Sequence, residues 1–576
     1  MNSVSPESKR IWLLCGVLVF ATVLVYLPGL NAPFLFDDRA IEDGEAQLRS
    51  PDWSAAQSIG YGRRLTVFAS LALNYALGGL DVRGYHVLNL FVHLTAGLSL
   101  FGIVRRTLRL PVFEEKFTNS ADGFAFAVAL LWMVHPLQTQ AVTYTIQRCE
   151  SMMGMFYLLC LYCVLRGSQS ARAWPWYVGG MAAAWLGMGC KEVMVTAPLV
   201  ILLYDRIFLS PNWNAVVRRR WPFYLGLAPA AAWLLFSAAS ETAPTAGFDC
   251  KTVSTWEYLR TQPGVILHYL RLAAFPDRLC LDYRWPVAET WQEILPPTAA
   301  IAALVAATGL ALRYRPAAGF LGAAFFLILA PTSSIMPIAD LAVEHRMYLP
   351  LAALTVLGVL AVRIGVAQIA RRRSRRGFLV LTLVLVAAMF MVRTATRNAL
   401  YRSPIAVWAN AISVAPQNAR AHWSYGAYLA KAGHVDEAIR CYRKTIQLSP
   451  DHVDARLDLA TALARRGDVD EAIEHFRTAL EFNDKIAAAH YNLAVLLERK
   501  RDWQNSLAHA RRAAAQKPNE PRYHYMLAVA LDHCGEHQES AICYKKTLRL
   551  DPSNEKARRA LAQLATDASR QRRDPL

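Results

Sequence analysis

Charged residues are scarce in this chain of 576 residues: Asp, Glu, Lys and Arg make up only 18% of it, whereas 54% of the residues are hydrophobic. A soluble globular domain typically has about 25% charged residues and less apolar material. The scarcity of charge therefore excludes one large soluble globular protein and predicts a membrane protein.

Acidic residues are also fewer than basic ones, at 44 Asp and Glu against 62 Lys and Arg. The arginines are not gathered on one basic face; their runs separate apolar segments, which is typical of an orientation signal in a membrane protein. This distribution excludes a nucleic-acid partner. The ten cysteines are scattered, and they indicate neither a zinc site nor a dense disulfide framework.

Apolar stretches of about 20 residues, the length that crosses a roughly 30 Å hydrocarbon core, recur up to about residue 395. The first has no small-residue cleavage site after it and is predicted to be a retained anchor. Eleven spans are predicted: residues 11–30, 86–104, 121–136, 150–166, 176–190, 193–209, 222–240, 298–313, 317–336, 347–364 and 377–395. Charged residues and Pro276 interrupt a further segment, 263–280, which is predicted to be an interfacial or re-entrant helix.

Short basic loops stay on the cytoplasmic side of a bilayer and so predict the orientation of the chain. With eleven spans, every basic cluster lies inside; a twelfth crossing at 263–280 would put the arginines of 371–376 outside. The clusters are Lys9/Arg10, Arg105/Arg106/Arg109, Arg166/Arg172, Arg218 to Arg220, Arg313/Arg315 and Arg371 to Arg376. The carboxyl-terminal part of the chain is therefore predicted to be extracytoplasmic.

A 34-residue period begins near residue 401 and is the mark of tetratricopeptide repeats, which stack helix pairs into a solenoid. Small residues recur where the helices of a repeat approach, and Gly or Pro recur where helices end. Positions 34 apart include Gly426, Ala460, Ala494 and Ala528, and Pro416, Pro450, Asp484, Pro518 and Pro552. The predicted domains are a transmembrane domain over 1–400 and a repeat domain over 401–567, with repeats at 419–452, 453–486, 487–520 and 521–554, a capping helix at 555–567 and a disordered tail at 568–576.

Ionisable side chains collect at the predicted outer ends of the spans, where charge near lipid is costly unless it is used or paired. Asp37 and Asp38 follow the first span. The others are His135, Arg148, Glu150, Lys191, Glu192, Asp282, Glu344, His345 and Arg346. A transporter would place such groups near the bilayer midplane, where the sequence has few of them.

Six stretches of the membrane half, followed by the repeats, resemble the transmembrane and tetratricopeptide repeat-containing O-mannosyltransferases and their bacterial relatives. The stretches are PFLFDDRAI (33–41), GYHVLNLFVHL (84–94), HPLQTQAVTYTIQRCES (135–151), KEVMVTAPLVILLYD (191–205), LDYRWP (281–286) and EHRMYLP (344–350). The resemblance implies the GT-C glycosyltransferase fold. It also implies transfer of a sugar from a polyprenyl phosphate to a protein hydroxyl on the extracytoplasmic side, which in a bacterial inner membrane is the periplasm.

That reaction requires a base and a cationic site. A Ser or Thr hydroxyl must lose its proton as its oxygen attacks the anomeric carbon, and Asp37 is the predicted base, with Asp38 beside it. The leaving phosphate requires cations or hydrogen-bond donors, for which Arg346, His345 and Lys191 are the candidates. The remaining candidates on the donor side are Glu344, Glu192, Glu150, Arg148 and His135.

Each of these positions also has a structural interpretation that the sequence leaves open. Arg148 and Glu150 would also suit an outer-face ion pair, and His135 before Pro136 would suit a helix terminus. Residues 191–192 would suit a solvated turn, and residues 344–346 an interfacial anchor. Cys250 and Cys280 both face outward in this topology, so a disulfide and two free thiols are alternatives.

Aromatic and arginine side chains are predicted to line the concave groove of the repeats, where such residues commonly anchor a bound peptide. These are Arg420, Trp423, Tyr491, Arg499, Arg522 and Tyr525. The groove is predicted to hold an acceptor polypeptide or a partner protein. Packing of the aromatic rings between repeats is the alternative.

The sequence thus predicts an all-α protein: a polytopic, GT-C-like helix bundle followed by an extracytoplasmic solenoid. The predicted function is an inverting glycosyltransferase that moves a monosaccharide, mannose by resemblance, to Ser/Thr hydroxyls of proteins. Glycosylation of a lipid or envelope glycan and a membrane-anchored scaffold for partner proteins are the alternatives. No cofactor is required beyond the polyprenyl-phosphate-linked donor, and adjacent Asp37 and Asp38 do not by themselves imply a divalent metal.

Overall fold

The computed structural model describes residues 5–51, 64–114, 116–117, 119–239, 247–248, 250–371 and 374–571. Over these residues the chain is all-helical, as predicted, and no strand is present within them. The chain divides into two compact units, Met1–Val407 and Trp408–Leu576.

Helices of eight or more residues are numbered in chain order. Those of the first unit are α1 (Pro6–Tyr26), α2 (Leu65–Gly78), α3 (Val82–Thr107), α4 (Ala121–Met133), α5 (Arg148–Ser168), α6 (Trp174–Met188), α7 (Ala197–Tyr204), α8 (Trp213–Ala239), α9 (Thr255–Ala274), α10 (Trp291–Tyr314), α11 (Pro316–Leu329), α12 (Pro350–Ile369) and α13 (Arg375–Leu400), and α14 (Pro404–Val414) follows them.

Six stretches in the described part of the chain are helical, long and apolar enough to cross a membrane, and one bent pair of helices brings the number to as many as seven. The six are Pro6–Gly29, Val82–Thr107, Thr145–Ser168, Trp291–Tyr314, Pro350–Ile369 and Arg375–Leu400. Other predicted spans are shorter or broken: 176–190 corresponds to the 15-residue helix α6, 193–209 to a 3-10 turn, α7 and a π-helical turn, and 317–336 to the 14-residue helix α11 and a 3-10 turn. The count of eleven, and the orientation that depends on it, stay predictions.

The bent pair joins α4 to Pro136–Val142 at an angle of 51°. His135 lies at the bend in an extended conformation (ψ 132°), because the residue before a proline is disfavoured in the α-helical region. The chain then continues through a polar segment that is almost wholly buried up to Met155. This buried segment, residues 135–151, packs at one end of the bundle and contacts the loops that follow α1, α9 and α11.

The opposite end of the bundle is held by an ionic network. Asp122, at the start of α4, is buried and accepts from Arg105 Nε at 2.8 Å and from Arg109 at 2.9 Å. Glu7 at the start of α1 contacts Arg109 at 2.6 Å. Three helices are therefore joined where the basic clusters of the sequence lie.

The segment 263–280, predicted as a helix, is helical only in part. Helix α9 begins earlier, at Thr255, because Ser254 and Glu257 form a capping box. It ends at Ala274, just before Pro276, and an irregular segment follows up to α10. Cys280 in this segment and Cys250 are both free thiols, so the disulfide alternative is wrong.

The second unit is a solenoid of paired helices. They are α15 (Ala419–Lys431), α16 (Val435–Leu448), α17 (Val453–Arg466), α18 (Val469–Phe482), α19 (Ala487–Arg499), α20 (Trp503–Gln516), α21 (Pro521–His533), α22 (His537–Leu550) and α23 (Glu555–Gln571). Gly426 is required because a Cβ there would lie 2.8 Å from the Tyr442 ring. The capping helix α23 extends past the predicted end at 567, and residues 572–576 of the predicted tail lie outside the described residues.

A stacked histidine pair joins the two helices of the third repeat. Nδ1 of buried His490 lies 3.0 Å from Nδ1 of His509, and its Nε2 lies 3.1 Å from a carboxylate oxygen of Asp484. The Nδ1 contact needs one donor and one acceptor, so both rings cannot carry protons there. Burial and the neighbouring His490 lower the pKa of His509 to about 4.

We expect α19 and α20 to be less stable at pH 5 than at pH 7. The unfolded chain binds a proton at His509 near pH 6.5, whereas the folded repeat resists it down to about 4, so stability is lost as pH falls through that window. Hydrogen exchange of the full chain, corrected for the intrinsic pH dependence of exchange, measures this. His509→Asn keeps an N–H donor near the Nδ1 position but does not titrate; an unchanged pH dependence in that variant would contradict the assignment.

Candidate active site

Asp38 is a structural anchor for the loop that follows α1. Its side chain is buried (1% exposed) and accepts three backbone N–H groups, from Ile146 at 2.6 Å, Leu35 at 3.1 Å and Thr145 at 3.4 Å. Burial raises the pKa of Asp38 to about 8, although these N–H donors stabilise the charged form. Asp38 thus ties its own loop to the buried polar segment 135–151.

Asp37, the adjacent residue, is exposed. Its backbone N–H donates to the Tyr144 hydroxyl at 2.9 Å, and Phe36 before it has a left-handed backbone (φ 48°). A bulky residue in this region is strained, and such strain is concentrated at functional sites. The turn therefore presents one carboxylate of the acidic pair to solvent while the other holds the turn in place.

A cluster of opposite charges lies one helical turn further along the chain from Ile146. Glu150, near the start of α5, pairs with the ammonium group of Lys191, and both side chains are buried. Arg64 lies 3.9 Å from Glu192, the next residue after Lys191. Burial alone would raise the pKa of Glu192, but Arg64 and Lys191 hold it below its usual value.

Arg346 and His345 complete this cluster. The Arg346 guanidinium is buried and donates to the carbonyl oxygens of Asp340 at 2.7 Å and Leu341 at 3.0 Å, and it lies within electrostatic range of Glu150. Burial, Lys191 and the neighbouring arginines lower the pKa of His345 well below 6.5. A lowered pKa favours the neutral form of His345, so its contribution to donor binding is as a hydrogen-bonding group, and this role stays a prediction.

Three of the predicted donor-side residues make contacts that hold the fold, and their role toward the donor stays a prediction. Glu344 accepts from Arg397 at 3.0 Å, from the Cys280 N–H at 2.8 Å and from Tyr283 at 2.9 Å. Arg148 donates to Asn89 at 2.6 Å and to the Tyr85 carbonyl at 3.0 Å.

The third, His135, caps the 3-10 turn Pro136–Gln138 by accepting the Leu137 N–H at 3.2 Å. This contact matches the helix-terminus alternative. The Glu150–Lys191 pair likewise replaces the pairing of Glu150 with Arg148 that the sequence left open.

Three residues of the site were not identified from the sequence. Arg64 lies in an Arg-Arg pair before α2, outside the predicted spans. Tyr144 and Gln140 belong to the stretch 135–151, whose resemblance to known enzymes was the available signal. Gln140 is buried and accepts from the His345 backbone N–H at 2.8 Å.

An apolar cavity of about 650 Å³ opens along the bundle below this cluster. It is lined by α3, α5, α7, α11 and α12, including Tyr157, Leu349 and Phe320. Leu349 follows Arg346 by three residues, and the Tyr157 hydroxyl lies 3.3 Å from that of Thr196, just beyond Glu192. The cavity therefore extends away from the charged cluster.

The predicted groove residues of the repeat unit are largely engaged with neighbouring repeats. Nε1 of Trp423 donates to Asp458 at 2.8 Å, and the Tyr491 ring lies 5.2 Å from that of Tyr523. Arg522 lies over the Tyr491 ring at 5.7 Å. Tyr525 lies 5.9 Å from Tyr544, while Arg499 is exposed and Arg420 is partly buried. Inter-repeat packing and an arginine-bearing surface are both present.

Helices able to cross a membrane and a repeat solenoid together define a membrane protein with a tetratricopeptide repeat unit. The family model for the tetratricopeptide repeat matches residues 393–451, 426–488, 457–521 and 491–555. A crystal structure of MamA is 19% identical and covers 28% of this chain and 94% of that one, with a TM-score of 0.26.

Two curated relatives are similar to this chain in sequence. Protein O-mannosyl-transferase TMTC2 of Homo sapiens is 30% identical over 199 residues, which are 31% of this chain and 22% of that protein. Protein O-mannosyl-transferase F38B6.6 of Caenorhabditis elegans is 23% identical over 456 residues, 74% of this chain and 61% of that protein. The chain thus spans less than two thirds of these relatives. These matches confirm that the chain resembles the transmembrane, repeat-containing protein O-mannosyl-transferases.

Proposed function

We propose that this protein is an inverting membrane glycosyltransferase that moves mannose from a polyprenyl-phosphate carrier to Ser or Thr hydroxyls of extracytoplasmic proteins. The observation that carries the proposal is the different position of the two adjacent aspartates. Asp38 is buried and fixes the loop, whereas Asp37 is exposed. The names of its relatives support the transfer of a sugar to protein.

In this reaction Asp37 is the base. Its carboxylate accepts the proton of the acceptor hydroxyl as the oxygen bonds to the anomeric carbon, and the bond from that carbon to the phosphate oxygen breaks. The sugar inverts because attack and departure occur on opposite sides. The phosphate leaves as a stable anion and requires no proton.

The charges of the cluster support an anionic donor group. The cations Arg64, Lys191 and Arg346 lie among the carboxylates Glu150 and Glu192, and Asp340 also interacts with Arg346. A polyprenyl monophosphate sugar carries one negative charge and a diphosphate carries two, and the monophosphate is proposed because the resemblance implies it.

The cavity below the cluster fits the carrier's hydrocarbon chain. Its lining is mostly apolar, from residues such as Leu100, Val200 and Phe320, and also includes Lys116 and Arg315. Burial of polyprenyl methylenes there would supply binding energy remote from the reacting bond. The reacting end faces the periplasm of a bacterial inner membrane, and the acceptor polypeptide binds in the repeat groove. Arg499 and Arg522, both exposed, are the groove positions best placed to contact it.

Transfer from defined donors in liposomes tests this proposal. The purified full chain should add one hexose to a Ser/Thr-rich peptide from polyprenyl-phosphate mannose and leave the matching diphosphate donor unused, as read by peptide mass. Hexose appearing only in the lipid fraction would support glycosylation of a lipid instead. Turnover of neither donor, with the protein folded, would contradict the enzyme assignment.

A further inference from the structure

Gln140 and His345 form a contact that fixes the hydrogen positions on the His345 ring. Gln140 is buried, and its Nε2 donates to the Leu281 carbonyl at 2.9 Å. Its Oε1 accordingly faces His345, where it accepts the backbone N–H at 2.8 Å and lies 3.2 Å from Nδ1. Three contacts therefore orient the amide.

This orientation decides the tautomer. An amide oxygen cannot donate a hydrogen bond, so Nδ1 of His345 must carry the hydrogen. In a neutral ring the other nitrogen, Nε2, is then an acceptor with a lone pair. His345 is neutral because burial and the charges that face it, Lys191, Arg346 and Arg64, oppose protonation.

Nε2 is available to a ligand. The ring is only partly buried, and Nε2 has no hydrogen-bond partner among the described residues. The cations around it repel any cationic group and attract the donor phosphate. A neutral acceptor at this place suits an uncharged hydroxyl bound next to that phosphate.

The geometry of inversion identifies the hydroxyl. The acceptor and its base approach the anomeric carbon opposite the phosphate, so a group beside the phosphate-binding cations cannot deprotonate the acceptor. The donor hydroxyl nearest the phosphate is on the carbon next to the anomeric carbon. We propose that Nε2 of His345 accepts a hydrogen bond from this hydroxyl of the donor sugar, and that Gln140 positions the ring. This inference rests on the proposed function.

The experiment compares mannose and 2-deoxymannose, each on polyprenyl phosphate, in the wild type, His345→Gln and His345→Asn. The Gln amide reaches the position of Nε2 and can accept there, whereas the Asn amide reaches only that of Nδ1. For each variant the measured quantity is the ratio of the transfer rates with the mannose and the 2-deoxymannose donors. This ratio should be roughly 5- to 150-fold larger in the wild type than in His345→Asn, the factor that a hydrogen bond of about 1–3 kcal/mol gives. Comparison between variants cancels the intrinsic reactivity of the deoxy sugar.

His345→Gln should recover part of that preference. Equal preference in the wild type and His345→Asn would overturn the assignment, even with mannose transfer intact. Failure of the wild type to use the mannose donor at all would instead overturn the proposed function, so the two failures are distinguishable.

Gln140→Glu tests the positioning role through the pH profile. A carboxylate beside Nδ1 raises the pKa of His345, and protonation removes the Nε2 acceptor. The rate of sugar transfer by this variant should therefore fall as pH decreases from 8 to 6, whereas the wild-type rate should not show this fall. Gln138→Glu is the control. It places a carboxylate on the same segment, but at a residue whose amide donates to the Tyr348 carbonyl and not at one that contacts His345. Matching profiles for the two variants would overturn the role of Gln140.

Discussion

Asp37→Asn should lower the rate of sugar transfer by about 10²- to 10⁴-fold, the usual contribution of a general base. The side chain keeps its size but cannot accept the hydroxyl proton. Because Asp37 is exposed and Asp38 holds the loop, folding, membrane insertion and donor binding should be unchanged. The measurement is the initial rate at saturating donor, with thermal stability determined on the same preparation.

Asp38→Asn is the matched control at the adjacent position. Ile146 donates to one carboxylate oxygen, and Leu35 and Thr145 donate to the other. Asn has one carbonyl oxygen, so its amide N–H groups would face at least one backbone donor, at a cost of about 1–3 kcal/mol. This variant should lose thermal stability together with activity. If instead Asp38→Asn is stable and inactive while Asp37→Asn is active, the two roles are reversed.

These adjacent aspartates also show what the sequence could predict. The acidic pair, the repeats and the apolar segments were evident from residue type and spacing, because each depends on local order in the chain. The roles within the pair depend on residues more than 100 positions away, Tyr144 to Ile146, which bury one carboxylate. Nothing in the local sequence distinguishes the two.

The charged cluster around Lys191 also shows that contacts between distant segments are not evident from the sequence. Lys191, Glu150 and Arg346 were identified because charges at span ends are rare and costly. The protonation state of His345 is not evident from the sequence, because burial and three cations from other segments and from its neighbour Arg346 lower the pKa of its ring. Arg64 was missed because its contact with Glu192 joins segments that are distant in the chain.

Lys191→Met should have the second large effect, on both stability and transfer. It leaves Glu150 as a buried carboxylate without its partner, which costs about 3–5 kcal/mol. Loss of activity in this variant alone would therefore not distinguish a misfolded protein from one that has lost a phosphate contact. The double variant Lys191→Met/Glu150→Gln removes both charges, restores neutrality to the pair and should recover most of the stability.

The double variant separates two roles for Lys191, because it removes one positive and one negative charge and so leaves the net charge of the cluster unchanged. If Lys191 contacts the phosphate, the KM for donor should rise about 10- to 150-fold, the factor for losing a charged hydrogen bond of 1.5–3 kcal/mol. Asp205→Asn/Arg220→Met neutralises another buried pair and should leave that KM unchanged. Wild-type KM in the Lys191 double variant would mean that Lys191 only balances Glu150, and that the donor phosphate is held by the arginines alone.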